Sequence, residues 1–250
     1  MIQTDFCRYE KKYLMSRLTY EALRARLEPH MQPDEFGETT VCNIYYDTDS
    51  SELIRRSIEH PIYKEKLRLR SYGVPTMDST VFLEIKKKIN KVVAKRRIPL
   101  TLKEAYDYVE CGRKPSEENQ VQREIDFLLH RYQLKRSIYL AYDRLALIGK
   151  EDPGFRITFD TKIRSRRNHM GLEEGDVGEL LLPDGYVLME TKILGASPLW
   201  FSRILSELHI YPVSFSKYGN FYKKGLGVWD YGQLITHEEQ IGKAGEILSC

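Results

Sequence analysis

Apolar and charged residues alternate along much of the chain, with the two-residue period of a β-strand that buries one face. In KEKLRLRS, Leu67 and Leu69 fall on one face and Lys66, Arg68 and Arg70 on the other. Val81, Leu83 and Ile85 oppose Glu84, Lys86 and Lys88. Phe155, Ile157, Phe159 and Ile163 oppose Arg156, Thr158, Asp160, Lys162 and Arg164. By the same parity Arg8, Glu10 and Lys12 share a face, as do Glu190 and Lys192, and Lys95 and Arg97, while YLAYDRLAL adds Arg144. The pattern predicts strands over RYEKKYLM, VCNIYYDT, YKEKLRLRSYG, STVFLEIKKKI, KVVAKRRIPL, SIYLAYDRLAL, GFRITFDTKIRSR and YVLMETKIL. Gly73-Val74-Pro75, Asn90 and Glu151-Asp152-Pro153-Gly154 mark turns between them.

Helices are expected between these strands. Thr19–His30 places Leu23 and Leu27 one turn apart, and ELIRRSIEH reads as a helical turn. Thr101 caps LKEAYDYVEC with Gly112 as its stop, and Ser116 opens EENQVQREIDFLLHRYQL. Ser197-Pro198 starts LWFSRILSELHI, after which YPVSFSKYGNFY extends again. No Gly/Ser linker divides the chain, so one α+β domain over residues 1–225 and a polar tail over 226–250 are expected. Seven or eight strands, mostly hairpin-connected, favour a closed antiparallel β-barrel, eight-stranded at the upper count, with the helices packed outside.

The composition is that of a folded chain: 250 residues, 42% hydrophobic and 30% charged. No apolar run approaches the roughly 18 residues of a membrane span, and the start has no apolar signal core. Cys7, Cys42, Cys111 and Cys250 have neither CxxC spacing nor framework density, which predicts a reduced, cytoplasmic protein, at most on the inner face of the membrane. His30, His60, His130, His169, His209 and His237 are scattered and receive no role.

Net charge is only +3, from 39 basic and 36 acidic residues, so the placement of the charges is what matters. A solvated sheet face usually mixes Thr, Ser, Gln, Glu and Lys, whereas here Lys and Arg recur on one face of strand after strand. Like charges opposite one another are destabilising, so such a face implies a neutralising partner. Closed inward, it forms a basic tunnel filled by water and a polyanion. Glu10, Glu84 and Glu190 each precede a same-face lysine by two residues. Local ion pairing explains them, as does a hard divalent cation bridging carboxylates and phosphate oxygens. The 17 tyrosines could stack bases, but the near-neutral chain lacks the basic footprint of a nucleic-acid binder.

Five motifs, RYEKKYLM, KLRLRSYG, FLEIKKK, RITFDT and SFSKYG, occur in order between Arg8 and Tyr222. The ordered set resembles the triphosphate tunnel metalloenzymes, and within them the VTC-domain polyphosphate polymerases in a stand-alone bacterial form. That resemblance implies an eight-stranded tunnel in which ATP extends an inorganic polyphosphate chain with Mn²⁺ or Mg²⁺. Carried over by motif, it implies that Lys12, Arg68, Arg70, Lys86, Lys95, Arg144, Arg156, Lys192 and Lys217 hold phosphates, with Ser216 as a hydrogen-bond donor and Glu190 as the metal ligand. Lys66, Arg97, Glu10 and Glu84 share the same face as candidate substrate contacts. Position 214 is Ser where some relatives carry a further lysine, which removes one phosphate contact. A hydrolase on the same tunnel, or a non-catalytic polyphosphate or inositol-phosphate sensor, are the alternatives. A separate membrane partner for product export is implied by family analogy alone.

Overall fold

The alternating segments pair into one antiparallel sheet in a computed structural model that describes residues 8–59, 62–89, 92–115, 119–229 and 231–232. In chain order the elements are β1 (Arg8–Ser16), α1 (Arg17–Leu27), β2 (Met31–Asp47), α2 (Glu52–Ile58), β3 (Tyr63–Tyr72), β4 (Thr80–Ile89) and β5 (Val92–Thr101). There follow α3 (Leu102–Cys111), α4 (Gln120–Arg131), β6 (Lys135–Gly149), β7 (Arg156–Arg166), β8 (Glu179–Leu180), β9 (Tyr186–Leu194), α5 (Leu199–Glu207) and α6 (Lys217–Gly225). The expected turn at Asn90, the Ser116 helix start, Cys7, Cys250, His60, His237 and the tail beyond residue 232 lie outside the described residues. No helix among the described residues is long and apolar enough to cross a membrane.

Strand order is β1-β9-β7-β6-β2-β3-β4-β5, with the short β8 beside β7. The expected closed barrel is not formed, because among the described residues the edge strands β1 and β5 do not pair with each other. Lys11 and Lys12 on one edge and Lys95, Arg96 and Arg97 on the other make both edges cationic, and lysine-rich edges resist pairing. The sheet nevertheless curls. Lys12 on β1 and Lys66 on β3 stand five strand intervals apart, about 24 Å in a flat sheet. Even so, both reach the same short segment: Lys12 donates to the Phe215 carbonyl, and Lys66 Nζ stands 5.8 Å from the centroid of the Tyr218 ring.

The apolar outer face of the sheet is covered twice. Helices α1 and α5 bury Leu23, Leu27, Phe201 and Ile204 against Met15, Ile157, Phe159 and Met189. Helices α3 and α4 bury Tyr108, Ile125 and Leu128 against Leu67, Leu69, Leu83 and Ile85. Each such fully buried aliphatic side chain contributes about 1.5–3 kcal/mol relative to exposure. The caps are local. The Ser16 hydroxyl accepts from Thr19 N, and Thr101 and Glu104 form a reciprocal capping box on α3. Gly112 ends α3 at φ +70°, the left-handed region that glycine enters without strain. Asn119, whose side chain accepts from Gln122 N, is the cap of α4.

Not all helices lie outside. Helices α2 and α6 pack on the charged face itself, where Ile54, Phe215, Tyr218 and Phe221 meet Leu14, Tyr45, Leu140, Tyr142 and Leu188. The expectation that YPVSFSKYGNFY stays extended is therefore corrected from Lys217 onward. Ser216 caps the helix by accepting from Gly219 N, and Phe215, Tyr218 and Phe221 recur every three residues, which puts them on one helical side. Buried Asp47 ties the two helices together, accepting from Leu53 N and Ile54 N of α2 and from the Tyr218 hydroxyl of α6.

Candidate active site

Glu84 sits on β4 with Arg68 opposite it on β3 and Arg97 opposite it on β5. Adjacent strands lie about 4.8 Å apart, so cross-strand charges meet. Glu84 is 1% exposed. It accepts from Arg68 Nε at 2.5 Å, and Lys95 Nζ lies at 2.9 Å and Arg70 Nε at 3.8 Å. Burial would raise its pKa, but Arg68, Arg70 and Lys95 overcome that and hold it at about 2. Arg70 is itself fixed by donating to Asn43 Oδ1 at 3.0 Å and to the Tyr142 hydroxyl at 3.2 Å. Arg68 donates to the Tyr45 hydroxyl at 3.1 Å. Three cations are thus held on a curled surface by one carboxylate and three neutral acceptors.

A second cluster joins β1, β6, β7, β9 and α6. Wholly buried Asp160 accepts twice from Arg144, at 2.6 and 2.7 Å, a fork geometry that fixes the guanidinium plane. Lys217, the first residue of α6, places its Nζ 2.5 Å from Asp160 and donates to Glu190 at 2.8 Å. Lys12 lies 3.6 Å from Glu190 and donates to the Phe215 carbonyl at 2.8 Å, and Arg144 stands 3.9 Å from Glu190. Burial works against both carboxylates, yet Lys217, Lys12 and Arg144 hold Glu190 well below the usual range, and Arg144 and Lys217 lower Asp160. Lys217 is pushed up in turn, against its own burial, by Asp160 and Glu190.

The remaining cations are not neutralised. Among the described residues, Lys66, Lys86, Lys192 and Arg156 have no carboxylate within ion-pair distance. Burial and the charges of Lys86, Lys64 and Lys12 pull Lys66 down to about 8, and burial and Arg144 lower Lys192. Lys66 opposes Lys86, which opposes Lys95, so three lysines run side by side across β3, β4 and β5. Glu10 is exposed and faces Lys192 in register. The Ser216 hydroxyl accepts from Gly219 N as a helix cap, and Arg97 lies over the Phe82 ring at 4.3 Å.

The structure also corrects one face assignment. At Lys162 the backbone enters φ +44° and the register with β6 slips, a β-bulge that reverses side-chain parity. Ile163 consequently joins the cluster under α6, and Arg164 turns to the other face, bonding Asp143 and Asp176. Four residues that hold the site together received no role from the sequence: Asn43, Tyr45, Tyr142 and Asp160. Asp160 was visible on the charged phase of RITFDT. Its pairing with Lys217 depends on α6, which sets that lysine against it.

The VTC domain family matches the chain over residues 7–225. The chain belongs to that family. No curated protein matches it significantly in sequence. A proposed adenylate cyclase from Bacillus halodurans is 20% identical with a TM-score of 0.52, over 83% of this chain and 92% of that one. A proposed adenylyl cyclase from Hippeastrum with a dominant triphosphatase activity is 12% identical with a TM-score of 0.51, over 86% and 95%. At these identities the likeness is one of fold alone.

In this VTC domain, Glu190 and Asp160 converge on a single ammonium, that of Lys217. Both Asp160 oxygens are taken up by Arg144 and Lys217, whereas Glu190 Oε2 has only Arg144 near it, at 3.9 Å, so Glu190 is the carboxylate with room for a hard divalent cation, whose shell phosphate oxygens and water complete. Among the described residues no cluster of three or more His, Cys, Asp or Glu exists, so phosphate and water would have to supply the other positions.

Proposed function

We propose that this VTC domain is an ATP-dependent polyphosphate polymerase. An oxygen of the terminal phosphate of a growing chain attacks the ATP γ-phosphorus, the bond from that phosphorus to the β,γ-bridging oxygen breaks, and ADP leaves. The observation that carries the reading is the convergence of Lys and Arg from β1, β3, β4, β5, β6, β7, β9 and α6 on one curled face, several without a carboxylate partner. Phosphoryl transfer asks mainly for alignment and neutralisation of charge, which such a face supplies without a nucleophilic side chain. Arg68, Arg70 and Arg144 are pre-oriented by Glu84, Asn43, Tyr142 and Asp160 and present fixed donors to phosphate oxygens. Lys66, Lys86, Lys192 and Arg156 are the cations still available to a new anion. A Mg²⁺ or Mn²⁺ ion held by Glu190 would add charge neutralisation at the phosphate oxygens.

Hydrolysis is the second reading, favoured by the triphosphatase activity of the Hippeastrum neighbour. Water then replaces the phosphate chain as acceptor on the same face. A gel of products from ATP and Mn²⁺, with Glu190→Gln alongside, separates the readings. A polyphosphate ladder from the wild type alone supports the polymerase. Free phosphate without a ladder replaces it by the hydrolase, and no turnover leaves a binding module.

A further inference from the structure

At the end of the charged face away from α6, the side chains change character. Tyr72 follows Arg70 by two residues on β3, and Phe82 precedes Glu84 by two on β4, so both project on the face of the cations. Phe82 is in register with Arg70, and Arg97 is in register with Glu84. The Tyr72 and Phe82 rings meet edge to face, with centroids 5.9 Å apart at 72°. Arg97 covers the Phe82 ring at 4.3 Å. The aromatic side chains that share this face under α6 are buried, as Tyr45 and Tyr142 are, whereas Tyr72 is 53% exposed and Arg97 is exposed.

An exposed tyrosine, a half-buried phenylalanine and a stacked guanidinium together present flat π surface to water, which is what a nucleobase stacks on. The position suits a nucleotide. Residues two apart on one side of a strand are separated by about 6.8 Å, so the Tyr72 ring stands one sugar-sized step beyond Arg70, with Phe82 beside that arginine on the next strand. We propose that Tyr72, Phe82 and Arg97 form the platform for the base of the nucleoside triphosphate donor. This rests on the reading of the charged face as a phosphate site and adds a direction to it. The base stays at the Tyr72 mouth, the triphosphate runs inward past Arg70 and Arg68, and the nucleoside diphosphate leaves by the mouth it entered.

The test is calorimetric titration of wild type, Tyr72→Ala and Tyr72→Phe with two ligands, the β,γ-imido analogue of ATP and inorganic tripolyphosphate. Tyr72 is half exposed, so its truncation spares the fold. The expected result is that Tyr72→Ala binds the analogue about tenfold more weakly and tripolyphosphate within twofold of wild type, while Tyr72→Phe keeps both affinities. Unchanged analogue binding by Tyr72→Ala, or an equal loss for both ligands, overturns the platform while leaving the phosphate site standing. Failure of the wild type to bind tripolyphosphate at all overturns the phosphate site and the platform with it.

Discussion

Replacing Glu84 with Gln removes one negative charge from beneath three cations and leaves its size unchanged. The carboxylate lies 2.5 Å from Arg68, 2.9 Å from Lys95 and 3.8 Å from Arg70 while only 1% exposed. Its pKa falls from an ordinary 4.5 to about 2. At about 1.4 kcal/mol per pH unit this corresponds to about 3 kcal/mol of native-state stability at neutral pH. Breaking a buried ion pair from one side costs about 3–5 kcal/mol, which agrees. For a chain of this size the loss lowers the melting temperature by about 6–12 °C. The pH dependence has a definite sign. A depressed carboxylate contributes its full stability above the unfolded pKa of 4.5 and loses it as pH falls towards 2. Urea unfolding of wild type and Glu84→Gln should therefore differ by about 3 kcal/mol at pH 7, with about 1.4 kcal/mol of that gap gone by pH 3.5. A gap below about 0.5 kcal/mol, the size of an ordinary surface effect, or a gap that does not narrow with acid, would refute the view that Glu84 anchors these cations.

Two other outcomes are expected. Burial and neighbouring cations bring Lys66 down to about 8, and burial brings Lys95 to about 8 against the pull of Glu84. Tripolyphosphate affinity should thus fall as pH rises through about 8, whereas the stability of the free protein should rise between about 8 and 10, where the unfolded chain binds more protons. Titrations at pH 7 and 9.5 check this, and an affinity that climbs with pH contradicts it. Asp160→Asn keeps the size of the side chain but releases the fork on Arg144 and one contact of Lys217, so kcat should fall at least tenfold with Asp160→Glu recovering part of it. Activity within twofold of wild type in Asp160→Asn would remove its positioning role.

The face of strands β3 and β4 was readable because their two-residue period runs without interruption from Lys66 to Arg70 and from Val81 to Lys86. Where the period breaks, the sequence gives no warning. The bulge at Lys162 uses a residue with no preference for positive φ, so Arg164 could not be seen to change faces. Helix α6 is rich in Tyr and Phe, which favour strands, and only its three-residue spacing betrays it. Two of the three Glu-x-Lys glutamates show the ion pairing that their setting suggests, with partners drawn from other elements: Glu84 pairs with Arg68 and Lys95, and Glu190 with Lys217 and Lys12. Same-face neighbours along a strand are about 6.8 Å apart, while cross-strand neighbours are about 5 Å apart, so tertiary partners win. Closure is illegible for a related reason, since it depends on whether two edges far apart in the chain, β1 and β5, pair in the folded sheet, and among the described residues they do not.

The claim on which the account stands is that the curled face binds a polyphosphate, and titration of the wild type with inorganic tripolyphosphate at two salt concentrations tests it most directly. Saturable binding that weakens as salt rises from about 0.1 M to 1 M, where the screening length shrinks from about 10 Å to 3 Å, is the predicted result. No binding at millimolar tripolyphosphate in low salt would contradict it.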